Sequence, residues 1–227
     1  MAAHKMHQRI GTFQIPGVGL DREFFEEISP EQREAARRQL GVKNKFFILS
    51  VGELRENKNP EVIIRALAHL KEEGVDITGF RYGLLGAGKQ EPELRGLAEE
   101  KGLSDNVKFY GYQSDVRPYL KAADVLAFPT IREGLGMAAL EAMSMGVPVL
   151  AADNRGTREF MIDGENGYVC SGKEPADYAK LIKKMYDEQE SWCISVKKRS
   201  EIRKSTENFD KKNTIVIMRE VYERAFN

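Results

Sequence analysis

The 227-residue sequence has no surplus of either charge, because 35 Lys and Arg residues balance 35 Asp and Glu residues. A protein that binds nucleic acid normally carries excess basic residues to meet the phosphates, so this balance argues against a nucleic-acid partner. The sequence has two cysteines, Cys170 and Cys193, which are too few and too far apart for a disulfide framework or a zinc site. We therefore expect two reduced thiols in a cytoplasmic protein.

Long apolar runs are absent as well. No stretch reaches the roughly 18–20 apolar residues that a membrane helix needs. The first ten residues are polar and lack the apolar core of a signal peptide. We expect a chain that neither crosses a membrane nor is secreted by itself, while peripheral attachment to the inner membrane face through a region outside this sequence stays open.

Short apolar runs alternate with longer helical patterns through the middle of the chain. The runs predicted as strands are residues 46–52, 80–86, 107–111, 125–128 and 147–151. Their alternation with helices indicates βαβ units with right-handed crossovers, and hence an α/β fold with a Rossmann-like, doubly wound parallel sheet. Charged helices are predicted over 175–188 and 208–226, and the Lys- and Arg-rich tract 191–205 is interpreted as a solvated helix face.

The strongest candidate site is segment 131–143, Ile-Arg-Glu-Gly-Leu-Gly-Met-Ala-Ala-Leu-Glu-Ala-Met, which follows a predicted strand. Two glycines precede a helix that we predict to start near Leu135. Unpaired amides and the positive end of the dipole at such a helix N-terminus suit a diphosphate. Glu133 lies just before the helix and Glu141 about two turns into it. Carboxylates accept hydrogen bonds from sugar hydroxyls, so each glutamate could meet a different part of one ligand.

A second candidate is Lys58, in the loop 52–60 after the first predicted strand, where a compact positive charge suits phosphates. The glycine turn 86–88 does not complete a dinucleotide fingerprint, because Glu91 stands where a third glycine is needed. This departure disfavours a dinucleotide dehydrogenase. The sequence has no Asp-x-Asp pair and no His/Cys cluster, so we expect no metal and no cofactor.

Seven patches resemble, in the same order, the C-terminal domain of family 4, or group 1, glycosyltransferases, which are retaining enzymes of the GT-B fold. The patches are 51–54 with Lys58, 85–88, 107–111, 123–125, Glu133 with Glu141, 146–149 and 163–167. A GT-B enzyme has two α/β domains with the active site between them, so the resemblance implies that this chain is one half of that architecture. Residues 15–21 look like the junction between the two domains.

The resemblance implies a hexosyltransferase that moves a sugar with retention from a nucleoside diphosphate sugar, its donor substrate, to an acceptor hydroxyl. The version of the motif at 52–54 is similar to enzymes of exopolysaccharide and capsule assembly. By resemblance, Glu133 and Lys58 are catalytic, Lys58 also binds the diphosphate, and Glu141 binds the ribose. The other implied nucleotide-sugar-binding residues are Tyr112, beside the base, and Gly134, Leu135, Gly136 and Met137 of the glycine turn. The pattern departs at Glu53, where many members have arginine, and Arg55 is the candidate substitute.

We expect residues 1–20 to be a remnant of the interdomain junction and residues 21–227 to form the nucleotide-sugar-binding domain. The N-terminal domain that would hold a saccharide or lipid-linked acceptor is then missing, so we expect weak donor binding and little turnover. Two alternatives stay open: a sugar-nucleotide epimerase of the same fold and a non-catalytic nucleotide-sugar-binding module. An epimerase should have additional acids and histidines in the ligand crevice.

Nucleotide binding should not depend on a divalent metal, because Lys58 and the helix amides would offset the diphosphate charge themselves. Calorimetric titration with a nucleoside diphosphate should give about the same affinity in chelator as in magnesium. A loss of about tenfold or more in chelator, which is about 1.4 kcal/mol, would contradict this expectation.

Overall fold

The computed structural model describes residues 19–226, over which six parallel strands form one sheet. The strands are β1 (Phe46–Val51), β2 (Phe80–Leu85), β3 (Val107–Gly111), β4 (Val125–Phe128), β5 (Val149–Ala152) and β6 (Gly167–Cys170). Their order is β3-β2-β1-β4-β5-β6, which is the doubly wound order of a Rossmann-like sheet. The predicted fold class is confirmed. Strand β6 was not predicted, because its apolar run is limited to residues 168–170 after a glycine-containing turn.

The described helices alternate with the strands and then continue beyond the sheet. They are α1 (Pro30–Gln39), α2 (Glu61–Glu72), α3 (Glu91–Glu100), α4 (Arg117–Ala122), α5 (Met137–Ser144), α6 (Pro175–Asp187), α7 (Val196–Lys204) and α8 (Lys211–Phe226). Helix α1 was not predicted, although Ser29 and Gln32 form a capping box at its start. The two charged helices predicted near the C-terminus correspond to α6 and α8.

The core lies on both faces of the central strands. Strand β4 is buried along its whole length, and β1 is buried from Phe46 to Leu49, as expected for a parallel sheet covered by helices on both faces. Helix α6 packs against α2. The ring of Tyr186 on α6 lies 5.6 Å from that of Phe46 and 4.5 Å from that of Phe80, measured between centroids. The C-terminal part of the chain therefore completes the core of the first half.

The carboxylate of Asp124 joins the start of β4 to the start of β1. It accepts a hydrogen bond of 2.7 Å from the Phe47 amide, while the Asp124 amide donates to the Phe47 carbonyl at 2.9 Å. Arg37 of α1 donates to the same carboxylate at 2.8 Å and to the Ala122 carbonyl at 2.7 Å, and Arg33 is a second ion-pair partner. A buried carboxylate is stable only when paired and hydrogen-bonded, and here two arginines and one amide do so.

The interpretation of tract 191–205 as a solvated face is wrong for two of its arginines. Arg199 is 4% exposed and donates to the carbonyls of Cys193 and Met145, each at 3.2 Å. Arg203 donates to the Phe25 carbonyl at 2.6 Å. Carbonyls at helix ends lack an intrahelical donor, and these guanidinium groups supply one, as Arg199 does for Met145 just past α5. Side-chain charge alone could not reveal that role.

The described part of the N-terminal segment pairs with the C-terminal part of the chain. The Leu20 amide donates to the Phe209 carbonyl at 2.7 Å, and the Lys211 amide donates to the Leu20 carbonyl at 2.9 Å. The Lys211 ammonium forms an ion pair with Asp21 at 2.6 Å. Most of the predicted junction lies outside the described residues, so the division into 1–20 and 21–227 stays a prediction.

Cys170 and Cys193 are both buried and free of disulfide bonds. Across residues 19–226 we find no helix with the length and apolar character needed to cross a membrane.

Replacement of Asp124 by alanine should strongly destabilise the fold. Arg33 and Arg37 would be left without their carboxylate in a buried position, which costs about 3–5 kcal/mol. The control is Glu34→Ala on the same helix α1, which removes an exposed ion pair with Arg38 worth about 0.3–0.5 kcal/mol. Urea unfolding followed by circular dichroism measures both, and equal losses in the two variants would contradict this role for Asp124.

Candidate functional site

The strand order reverses between β1 and β4, so the loops after these two strands diverge and leave a crevice at their carboxyl ends. A cavity of about 20 Å³ lies there, lined among others by Gly52, Lys58, Phe128 and Thr130. The two loops that the sequence singled out, 52–60 and 131–136, therefore face each other across this crevice.

Hydrogen bonds of Asn57 join these two loops. Its side-chain amide donates to the Arg132 carbonyl at 2.9 Å, and its side-chain oxygen accepts from the Arg132 amide at 3.2 Å. The Ile131 amide donates to the Asn57 carbonyl at 2.8 Å. Three hydrogen bonds thus fix the neighbouring residue, Lys58, relative to the loop that carries Glu133.

Lys58 and Glu133 form an ion pair across the crevice. The Lys58 ammonium donates to one carboxylate oxygen of Glu133 at 2.7 Å, and the other oxygen accepts from the Gly134 amide at 3.0 Å. The side chains of Lys58 and Glu133 are 25% and 18% exposed, so the pair is partly shielded from water. The ammonium also lies 5.6 Å from the centroid of the Phe128 ring, within cation–π range. Both side chains keep part of their surface accessible to solvent.

Helix α5 begins at Met137, two residues later than predicted, because Gly136 adopts a left-handed backbone with φ of 75°. This conformation cannot continue into a helix but suits glycine. A Cβ at Gly136 would also lie 2.9 Å from the ring of Phe160. Within the described chain no side chain caps this helix. Its first amides are therefore available to an anion at the mouth of the crevice.

Glu141 lies on the partly buried side of α5, where no ion pair or side-chain hydrogen bond to it occurs within residues 19–226. Burial raises the pKa of its carboxyl from 4.5 to about 7, because a carboxylate loses hydration there without gaining a partner. A shielded acid without a protein partner is a frequent mark of a functional position.

Tyr112 and Glu53 lie in the loops after β3 and β1. The side chain of Tyr112 is 78% exposed, so its ring is available for stacking. Glu53 pairs with Arg55 at 3.4 Å, and both side chains are more than half exposed. Arg55, the candidate substitute, is therefore paired with Glu53, which stands at the position where arginine is common.

The structure adds two residues, Asn154 and Gly156, that sequence reasoning did not assign. Asn154 donates to the Thr130 carbonyl at 2.8 Å and accepts from the Gly156 amide at 2.9 Å. A Cβ at Gly156 would lie 2.5 Å from the Glu133 carbonyl oxygen, so only glycine permits this close approach. An Asn followed two residues later by Gly after a strand is a turn signal that could have identified this support.

No group of three or more His, Cys, Asp and Glu residues placed to hold a metal ion occurs in the described part of the chain.

The buried position of Glu141 should make stability depend on pH. Because its folded pKa is raised to about 7, the folded protein retains a proton that the unfolded chain loses between pH 4.5 and 7. The free energy of unfolding therefore falls as the pH rises through this window. Glu141→Gln should be more stable than the native chain by about 1–3 kcal/mol at pH 8, with little difference at pH 4.5.

Thermal unfolding at the two pH values measures this effect, and Glu93→Gln, an exposed glutamate of α3, is the matched control. A Glu141→Gln variant that is no more stable than the native chain at pH 8 would show that the Glu141 carboxylate is well solvated or paired.

Comparison with known proteins identifies the family to which this chain is similar. The family model described as glycosyl transferases group 1 matches residues 32–209. The Bacillus subtilis (strain 168) protein EpsD is 37% identical over 212 residues, which cover 93% of this chain and 54% of EpsD. The chain thus spans about half the length of this relative.

Two solved structures share the fold. Anabaena HepE, solved in complex with UDP-glucose, matches with a TM-score of 0.77 and 26% identity, covering 90% of this chain and 55% of HepE. WaaG, a glycosyltransferase involved in lipopolysaccharide biosynthesis, matches with a TM-score of 0.75 and 25% identity, covering 91% of this chain and 56% of WaaG. With the family model covering most of its length, this chain belongs to the group 1 glycosyltransferases.

Proposed function

We propose that this chain is the donor-binding half of a retaining glycosyltransferase, which transfers a hexose from a nucleoside diphosphate sugar to an acceptor hydroxyl. The observation that carries the proposal is the Lys58–Glu133 ion pair at the strand-order reversal. It lies directly before the uncapped start of the helix that bears Glu141. A cation and free amides can bind the diphosphate of a nucleoside diphosphate sugar, and two carboxylates can accept hydrogen bonds from its hydroxyls.

The leaving diphosphate would be stabilised by Lys58 together with the amides of Gly136 and Met137. Negative charge grows on this group as the bond to the sugar breaks, and positioned donors in a shielded site stabilise such charge more than water does. A divalent metal is not part of this proposal, because the ammonium and the helix dipole supply the positive charge.

Glu133 would interact with the sugar rather than with the phosphates. When a diphosphate enters, the Lys58 ammonium can exchange its contact with Glu133 for the phosphate oxygens. The freed carboxylate then faces the anomeric centre, where positive charge develops in an oxocarbenium-like transition state. Asn57 keeps both loops in place during this exchange, since its contacts to 131–132 involve neither charged side chain.

Glu141 would bind the ribose. Its carboxylate has no hydrogen-bond donor among the described side chains, and two vicinal ribose hydroxyls would supply two. Such bonds to a charged acceptor contribute about 1.5–3 kcal/mol each. The exposed ring of Tyr112 would border the base.

The comparisons support UDP as the first nucleotide to test, because HepE was solved with UDP-glucose. A role in cell-surface polysaccharide synthesis is supported by the likeness to WaaG and by the sequence resemblance at 52–54. The acceptor, a saccharide or a lipid-linked one, would be held by an N-terminal domain of the whole enzyme.

The epimerase alternative predicts histidines in the crevice. Over the described range the single histidine is His69 on α2, which faces Glu73 one turn away rather than the crevice. His4 and His7 lie outside the described residues. A non-catalytic nucleotide-sugar-binding module would bind the same ligands, so the rate of the full-length enzyme, rather than binding to this chain, distinguishes it from a transferase.

Lys58→Ala should weaken UDP and UDP-glucose alike, by about tenfold or more, through loss of a charge-assisted contact. Glu133→Ala should weaken UDP-glucose but leave UDP at or above its native affinity, because the competitor for Lys58 is removed. Isothermal titration calorimetry of both variants with both ligands measures the contrast. In the full-length enzyme, Glu133→Ala should lower the rate more than the affinity.

Lys180→Ala, which removes an exposed lysine on α6, is the control variant, and NAD is the control ligand that should not bind. Identical patterns for Lys58→Ala and Glu133→Ala would make Glu133 a structural loop residue. Absence of UDP binding by the native chain would refute the donor-binding proposal.

A further inference from the structure

A second and larger cleft lies at the amino ends of the strands, whereas the donor crevice lies at their carboxyl ends. It has a volume of about 700 Å³ and is formed by the amino ends of β1, β2 and β3 with the loops that precede them. We call it the basic cleft, defined by four of its lining residues, Lys45, Lys71, Arg81 and Lys108.

The four cations of the basic cleft outnumber the acids beside them. None of them forms an ion pair with an acid within residues 19–226. One acid, Asp105, lines the cleft, and Asp76 lies close enough to Lys45 to be affected by its charge. Four positive charges therefore face two negative ones, which leaves an excess of two.

Backbone contacts hold two of the ammonium groups in place. Lys45 donates to the Thr78 carbonyl at 2.5 Å, and Lys71 donates to the carbonyls of Gly102 and Lys101 at 3.1 and 3.3 Å. An ammonium has three donors, so two remain on Lys45 and one on Lys71.

Arg81 adds a guanidinium whose Nε is shielded from solvent and lacks an acceptor within the described chain. A shielded donor without a partner is costly.

Like charges held together repel, and the repulsion is relieved when an anion enters. Guanidinium and ammonium donors that line one cleft match phosphate oxygens, to which they can donate several charge-assisted hydrogen bonds. A cleft of this volume is large enough for a ligand of small-molecule size rather than a single ion.

We propose that the basic cleft binds a phosphate-bearing anion with at least two negative charges, at a site separate from the donor crevice. This inference goes beyond the proposed glycosyl transfer and does not depend on it. The phosphate can come from a soluble diphosphate or from an anionic lipid headgroup, and both present the same group to these cations.

The test uses inorganic pyrophosphate as the probe, titrated by calorimetry into the chain with Lys58→Ala, which weakens any binding in the donor crevice. Into this background we would introduce Lys45→Gln with Lys108→Gln. The charge-matched control is Lys180→Gln with Lys204→Gln, two exposed lysines away from the cleft. Circular dichroism and the thermal midpoint establish that each variant is folded.

The cleft variant should bind pyrophosphate at least tenfold more weakly than the control, and the affinity of the control should fall as salt is raised. In a two-dimensional amide NMR spectrum, pyrophosphate should shift the signals of Asp105 and Asn106 at the cleft. Equal affinity in the cleft and control variants, or shifts confined to the donor crevice, would overturn the proposal.

A second arm distinguishes the sources of the phosphate. The chain would be sedimented with vesicles of equal parts phosphatidylglycerol and phosphatidylcholine, and with vesicles of phosphatidylcholine alone. Binding to the anionic vesicles that requires Lys45 and Lys108 assigns the site to a lipid headgroup, whereas pyrophosphate binding without sedimentation assigns it to a soluble anion. Failure of both probes to bind would refute the site.

Discussion

The site depends on the pairing of β1 with β4, and Asp124 secures that pairing. Its carboxylate accepts the Phe47 amide at the start of β1, and two arginines of α1 neutralise it. These contacts lie at the amino ends of the two strands, whereas the crevice opens at their carboxyl ends. Paired strands keep a spacing of about 4.8 Å, so the two loops that follow β1 and β4 begin side by side. The 2.7 Å contact between Lys58 and Glu133 lies at that other end, where Asn57 joins the two loops.

The charges of the crevice are balanced differently from those of the core. Asp124 has three hydrogen-bond donors. Glu141 on α5 has none among the described side chains, and burial raises its pKa to about 7. Glu133 is paired with Lys58, and we propose that the Lys58 ammonium moves to the phosphates of the nucleotide when it binds. In the unliganded chain, burial of Glu141 without a partner lowers stability. Glu133 is held in an ion pair that we propose a ligand replaces. Natural proteins accept such costs at functional positions, because binding recovers them.

Sequence reasoning predicted the sheet and the loops that face the crevice, because strand patterning and the strand-end rule depend on local residues. It placed the start of α5 within two residues and missed only the left-handed Gly136. It did not predict that Lys58 and Glu133 touch, since 75 residues separate them. It also missed Arg199, whose burial follows from the carbonyls around it rather than from its own sequence neighbourhood. Contacts that arise only when distant segments meet are the part that composition and periodicity do not encode.

The central claim is that the start of α5 holds the diphosphate of a nucleotide while Glu141 holds its ribose. A crystal structure of this chain with UDP tests it most directly. We predict phosphate oxygens within hydrogen-bonding distance of the Gly136 and Met137 amides, Lys58 turned from Glu133 to the phosphates, and both ribose hydroxyls on the Glu141 carboxylate. A nucleotide bound elsewhere, with the Lys58–Glu133 pair intact and Glu141 without contact to the ribose, would contradict the account.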